Sequence, residues 1–224
     1  MIIDHNNLMY RKQWMYAKDH RFNGAYYYSK EIVKNIIPRV KTSRDWVTIN
    51  SVAPHVNHAI VFVHNNINPA EHMRWLAHSR DIILVCGVPE TMKKVAHLGI
   101  PIYIPLSVDV DYVKQFKTDK TKDTAYVGRP GKPGTKKLPK NIDYLSGMGR
   151  EMLLREMAKY RKVYAVGRCA VEAKILGCEV LPYDPRFPDT SVWRIIDNKD
   201  AAKMLQDELD KIDNKGGKKD ASRL

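Results

Sequence analysis

Short apolar runs alternate with segments of helical spacing along most of the chain. Ala59 to Val63 (AIVFV), Asp81 to Val85 (DIILV), Thr124 to Val127 (TAYV) and Val163 to Val166 (VYAV) are continuous enough to be strands buried on both faces. Trp46 to Ile49 and Asn141 to Leu145 are weaker strand candidates, and Ile2 and Ile3 form a short one. Between them, residues 25–37, Pro69 to Ser79, the segment ETMKKVAHLGI up to a Gly99 cap, and residues 149–162 have helical spacing. In the last of these, Met152, Leu153, Met157 and Ala158 are the expected core positions, with Ser146 as N-cap. Tyr10, Trp14 and Met15 share one face of an expected surface helix. A final helix covers NKDAAKMLQDELDKI, and the tail NKGGKKDASRL is disordered by composition. Strands alternating with helices predict an α/β protein with parallel sheets.

The clearest unit is KVYAVGRCAVEAKILGCEVLPYD, from Lys162 to Asp184. It reads as strand, glycine turn at Gly167, helix from Cys169 to Leu176, a left-handed cap at Gly177, and a second strand. Such a βαβ unit sets a helix N-terminus at the carboxyl end of a parallel sheet, where free N–H groups and the helix dipole favour phosphate. Arg168 stands at that N-terminus and Glu172 one turn further in.

GRCAVEAKILGCEVL resembles the donor-binding segment of glycosyltransferases built from two facing Rossmann-like domains, the GT-B fold. In that family a Glu at the place of Glu172 holds the ribose of a nucleotide sugar. A second Glu, eight positions earlier in many retaining members, is replaced here by Tyr164. VCGVPETMKKVAHLGIPIYIPLSVDVDYVKQF is similar to the end of the family's first domain, and FNGAYYYSKEIVKNI to its glycine turn and first helix, which places Gly24 on the acceptor side. YVGRPGKPGTKK resembles the segment whose Arg and Lys neutralise the donor diphosphate. The resemblance implies two small Rossmann-like domains facing across a cleft, at residues 1–115 and 116–213, with the tail at 214–224. It implies donor-diphosphate contacts from Gly128, Arg129, Lys132, Gly167, Arg168 and Cys169, with Lys136 and Lys137 as substitutes for Lys132. It also implies a UDP- or GDP-sugar as donor substrate, no other cofactor and no metal. Asp184, and with it Arg186, falls on the sugar side.

For a general base, His64 closes a predicted strand, and Asp109 and Asp111 compete with it. His55, His58, His64, His72 and His78 lie close in sequence, but their spacing matches no standard zinc motif. There is no Walker loop, no GxGxxG and no nucleophile elbow.

Composition adds the partner. The 224 residues carry a net charge of +13, which suggests a polyanion or a phosphorylated substrate. A fainter similarity to phage DNA-base glucosyltransferases, in GRPGKPGTKK and GRCAVE, makes a modified base in DNA one acceptor class. Three scattered cysteines fit a reducing, cytoplasmic setting, and neither a signal peptide nor an apolar run of spanning length is present. Two other classes stay open. One is a non-catalytic nucleic-acid-binding protein on a degenerate version of the fold. The other is an enzyme using a different activated donor.

Overall fold

A computed structural model describes residues 2–3, 24–48, 58–63, 81–132 and 134–220. The expected helices at 10–22 and 69–79, and His55, His64, His72 and His78, lie outside these residues. The protein is α/β, with two separate parallel sheets and flanking helices, the layering of Rossmann-like domains. The described residues divide into two compact units. One holds 2–3, 25–48, 58–63, 81–105 and 198–220; the other holds 24, 106–132 and 134–197. The border thus falls at Pro105, ten residues before the expected one, and the last helix belongs to the first unit.

In the first unit β1 (Ile2–Ile3) is followed by helix α1 (Gly24–Glu31). Helix α1 widens into a π-helical segment, Ile32–Ile36, and tightens into a 3-10 turn, Ile37–Arg39. Pro38 therefore sits inside the last turn rather than beyond it. Strands β2 (Asp45–Val47), β3 (Ala59–Val63) and β4 (Ile82–Cys86), helix α2 (Pro89–Val95) and strand β5 (Ile100–Tyr103) follow. All the strands are parallel, in the order β1-β2-β3-β4-β5.

Every residue of β3 and β4 is buried, as their unbroken apolar runs predict. Val61, Val63, Leu84 and Cys86 pack with Val95, Met92 and Leu98 of the α2 region. On the opposite face Phe62 stacks on Trp46, centroids 6.2 Å apart, and meets Tyr28 of α1 edge-on at 6.5 Å. Gly99 is no left-handed cap. Its role is close approach, because a Cβ there would lie 2.5 Å from the Ile82 carbonyl oxygen.

The second unit opens with α3 (Val110–Lys114), β6 (Lys122–Val127), β7 (Asp143–Leu145) and α4 (Arg150–Met157). Strand β8 (Tyr160–Tyr164), helix α5 (Arg168–Ile175) and strand β9 (Glu179–Leu181) complete it. The four strands are parallel in the order β7-β6-β8-β9. Helix α4 is shorter than its spacing suggested, because YRKVY starts a strand. Leu154 and Met157 are its buried residues, Met152 is exposed, and Gly149 rather than Ser146 holds the N-cap position. Leu154 marks the core side, and Met152, two positions before it, lies about 200° round the helix on the solvent side.

At the far end of α5 Gly177 is left-handed, φ +80°. Gly177 N–H donates to Lys174 O and Cys178 N–H to Ala173 O, the paired bonds of a Schellman cap. Lys120 Nζ closes the ends of two helices at once, donating to Ala158 O at 2.8 Å and Leu176 O at 2.9 Å.

Helix α6 (Asn198–Asp220) returns to the first unit, and its regular structure continues into the tail that composition had marked as disordered. Ala201, Ala202, Leu205 and Leu209 form its buried stripe, packed on the π-helical segment. Asn198 Nδ2 donates to Glu31 Oε2 at 3.0 Å, and Lys41 N–H donates to Gln206 Oε1 at 2.7 Å. Among the described residues no helix is long and apolar enough to cross a membrane.

Candidate functional site

Strand order decides where a parallel sheet opens a crevice. In the second unit the chain leaves β6 for β7 on one side, then returns past β6 to β8 and β9. The loops leaving β6 and β8 diverge at that reversal, and the crevice lies at the carboxyl ends of these strands. The residues expected to hold a diphosphate stand there.

After β6 the chain turns back at once. Tyr126 Oη donates to Arg129 O at 2.8 Å. A Cβ on Gly128 would lie 2.7 Å from that hydroxyl and in ordinary contact, 3.6 Å, with Lys132 Nζ, so the glycine keeps the Tyr126 hydroxyl in place. Gly134, at φ +86°, brings the loop against the exit from β9, where a Cβ would sit 2.1 Å from Tyr183 O. After β8, Gly167 adopts φ +65°, ψ −139°, a conformation open essentially to glycine alone. It directs the first turn of α5 into the crevice. The N–H groups that open a helix have no intrahelical acceptor.

Glu172 and Arg168, one turn apart on α5, are both buried. Arg168 Nε donates to Glu172 Oε1 at 2.8 Å, and Arg150 Nη2 donates to the same oxygen at 3.0 Å. Among the described residues Oε2 makes no hydrogen bond. Arg150 opens α4, and its guanidinium lies 5.4 Å from the Tyr112 ring centroid. Asp184, after β9, is buried and clamped by Arg186, whose Nε reaches Oδ1 at 2.9 Å and Nη2 reaches Oδ2 at 2.5 Å. Those bonds hold its carboxyl below the usual carboxylate range against the opposing effect of burial, and Lys132 adds to the shift. Lys132 also acts on Cys169. Burial and the neighbouring Glu172 push the Cys169 thiol up to about 11. At neutral pH it is a thiol, not a nucleophile, and it offers the site its backbone N–H.

Among the described residues, Lys132, Arg150, Arg168 and Arg186 thus outnumber Glu172 and Asp184 four to two. The crevice is positive, with two of its arginines anchored on one carboxylate. Gly128, Lys132, Gly167, Arg168, Cys169, Glu172 and Asp184 lie around this crevice, and Arg129 follows Gly128 with its side chain exposed. Arg150 was not foreseen. It stands 22 residues before Glu172, inside an amphipathic helix whose pattern gives it no distinction.

The remaining candidates are elsewhere. Asp109 is the N-cap of α3, its Oδ1 accepting from Tyr112 N–H at 2.9 Å, and Asp111 is exposed in the first turn of that helix. Gly24 is the first residue of α1. His58 pairs with Asp81, Nδ1 to Oδ2 at 2.7 Å. Among the described residues no group of three or more His, Cys, Asp or Glu side chains is placed to hold a metal ion. No known protein family, curated protein or solved structure matches the chain.

Proposed function

We propose that the second unit binds the diphosphate of a nucleotide sugar and that the protein is a glycosyltransferase. The observation that carries this is the convergence of Lys132, Arg168, Arg150 and the first turn of α5 on the switch point of the sheet. The N–H groups after Gly167 and the Lys132 ammonium would bind the diphosphate. Breaking the sugar–phosphate bond builds negative charge on the leaving diphosphate, and preorganised cations stabilise that state more than the bound donor. Glu172 Oε1 is committed to the two arginines, so Oε2 would accept from a ribose hydroxyl. The finer GT-B arrangement is part of the proposal: donor on the second unit, acceptor hydroxyl on the first. The net charge of +13 supports a polyanionic acceptor, DNA included.

The test is calorimetry of the full chain with UDP, GDP and ADP, and with their sugars. One nucleoside diphosphate should bind, and Lys132→Ala should weaken it by about tenfold, the scale of one charge-assisted contact. If no nucleotide binds while duplex or single-stranded DNA binds with strong salt dependence, the transferase proposal falls and the basic surface is the function.

A further inference from the structure

The sheet of the second unit is covered unequally. The connections β7–α4–β8 and β8–α5–β9 step in one direction, and β6 to β7 steps in the other. Right-handed crossovers put α4 and α5 on one face and the helix-poor residues 128–132 and 134–142 on the opposite one. Side-chain alternation along β8 agrees. Val163 is wholly buried, whereas Tyr160, Lys162 and Tyr164 line the other face, at an open hollow of about 520 Å³. That volume lies within the range of small-molecule sites, roughly 300–1,000 Å³.

The walls of this cavity are specific. Tyr160 is its buried floor, and its hydroxyl donates to Asp143 Oδ2 at 2.6 Å while accepting from Lys122 Nζ at 3.2 Å. This fixes the Asp143 carboxylate at the edge, where Asn141 adds an amide and Asp123 a second carboxylate. Tyr164 and Leu181 line it too, each half-buried. Lys162 is the lining cation, and it has Glu179 beside it at 3.8 Å. Among the described residues, Asp123, Asp143 and Glu179 outnumber Lys122 and Lys162 here, which disfavours phosphate, in contrast to the crevice at the strand ends. Its acceptors suit hydroxyl or amine donors, and its tyrosine and leucine suit a C–H surface.

We infer that this cavity binds a neutral hydroxylated ring, taken either from a free saccharide or from a nucleoside. It is a second site, independent of the diphosphate crevice and of the proposed transfer reaction.

The test uses the isotope-labelled full chain, titrated with methyl glucopyranoside, N-acetylglucosamine, uridine and adenosine, with inorganic phosphate as the anionic control. The amide resonances of Thr124, Asn141, Asp143 and Lys162 should shift and saturate with a neutral probe. Asn141→Ala and Asp143→Asn, each removing or weakening one acceptor, should each lower affinity about fivefold. Lys132→Ala should leave this binding unchanged, whatever it does to nucleotide diphosphates. Saturation by the pyranosides alone assigns a saccharide, and saturation by the nucleosides alone assigns a nucleoside. The inference is overturned if no neutral probe saturates these resonances, if phosphate does so preferentially, or if both variants bind as the wild type does.

Discussion

The two units use the same alternation of strand and helix, yet the described strands are ordered differently in each. In the first, the described strands follow one another across the sheet without reversal, and its central strands are apolar on both faces. In the second, the order reverses beside β6, glycines bend the chain at both exits, and arginines converge on a buried carboxylate. Order of strands, more than content of strands, separates a core from a site. The first unit should therefore answer to changes in packing, and the second to changes in charge and backbone.

The largest effect expected is on the packing side. Phe62→Ala removes a ring that is 1% exposed and stacked on Trp46, and should cost about 4 kcal/mol in urea unfolding. Nucleotide affinity of the folded variant should not change; a clear loss would break the division of labour between the units. Next, Glu172→Ala removes the carboxylate shared by Arg150 and Arg168, and should cost about 3 kcal/mol together with nucleotide binding. Glu172→Gln, which retains an acceptor, should cost less. Equal affinity for nucleotide in both variants and wild type would remove Glu172 from the site.

A smaller effect separates two glycines. Gly134→Ala must move its loop away from Tyr183 O and strains a left-handed residue, at about 2 kcal/mol. Gly99→Ala also meets a carbonyl, that of Ile82, but in the first unit. Both variants should lower the melting temperature, and only Gly134→Ala should weaken nucleotide. The smallest effect is acid sensitivity. Arg186 depresses the Asp184 carboxyl, so the pair's stabilisation is complete above the unfolded value of about pH 4 and fades as pH falls through the lower folded value. Solvent around the half-exposed Arg186 limits it to about 1 kcal/mol or less. Asp184→Asn should flatten that limb of the pH–stability curve, and an unchanged limb would assign it to other carboxylates, such as Asp81. There burial raises the carboxyl, but Arg44 and then His58 outweigh it and hold it low.

What the sequence disclosed follows from the range of the interactions concerned. AIVFV and DIILV are strands because each run states its own burial, and Gly177 caps α5 because the cap is local. The turn–helix at Gly167 to Glu172 was legible for the same reason. Arg150 was not, because its meaning depends on a carboxylate 22 residues away in another element. The end of α4 at Met157 was hidden as well, since REMLLREMAKY keeps helical spacing while Tyr160 is recruited to a strand by its neighbour β6. The reversal of strand order left no local trace at all, and it is what turns these residues into a crevice.

The return of α6 to the first unit bears on how the chain acquires its structure during synthesis. Asn198, Gln206 and Asp213 reach Glu31, Lys41 and Arg44 across more than 160 residues. The ribosome therefore delivers the whole 106–197 segment before the helix that completes the earlier unit emerges. The later-encoded body can mature first, and the earlier-encoded one must wait with its π-helical segment uncovered. A stall or truncation near residue 197 would release an intact second unit joined to an unfinished first, a form exposed to aggregation and chaperone capture.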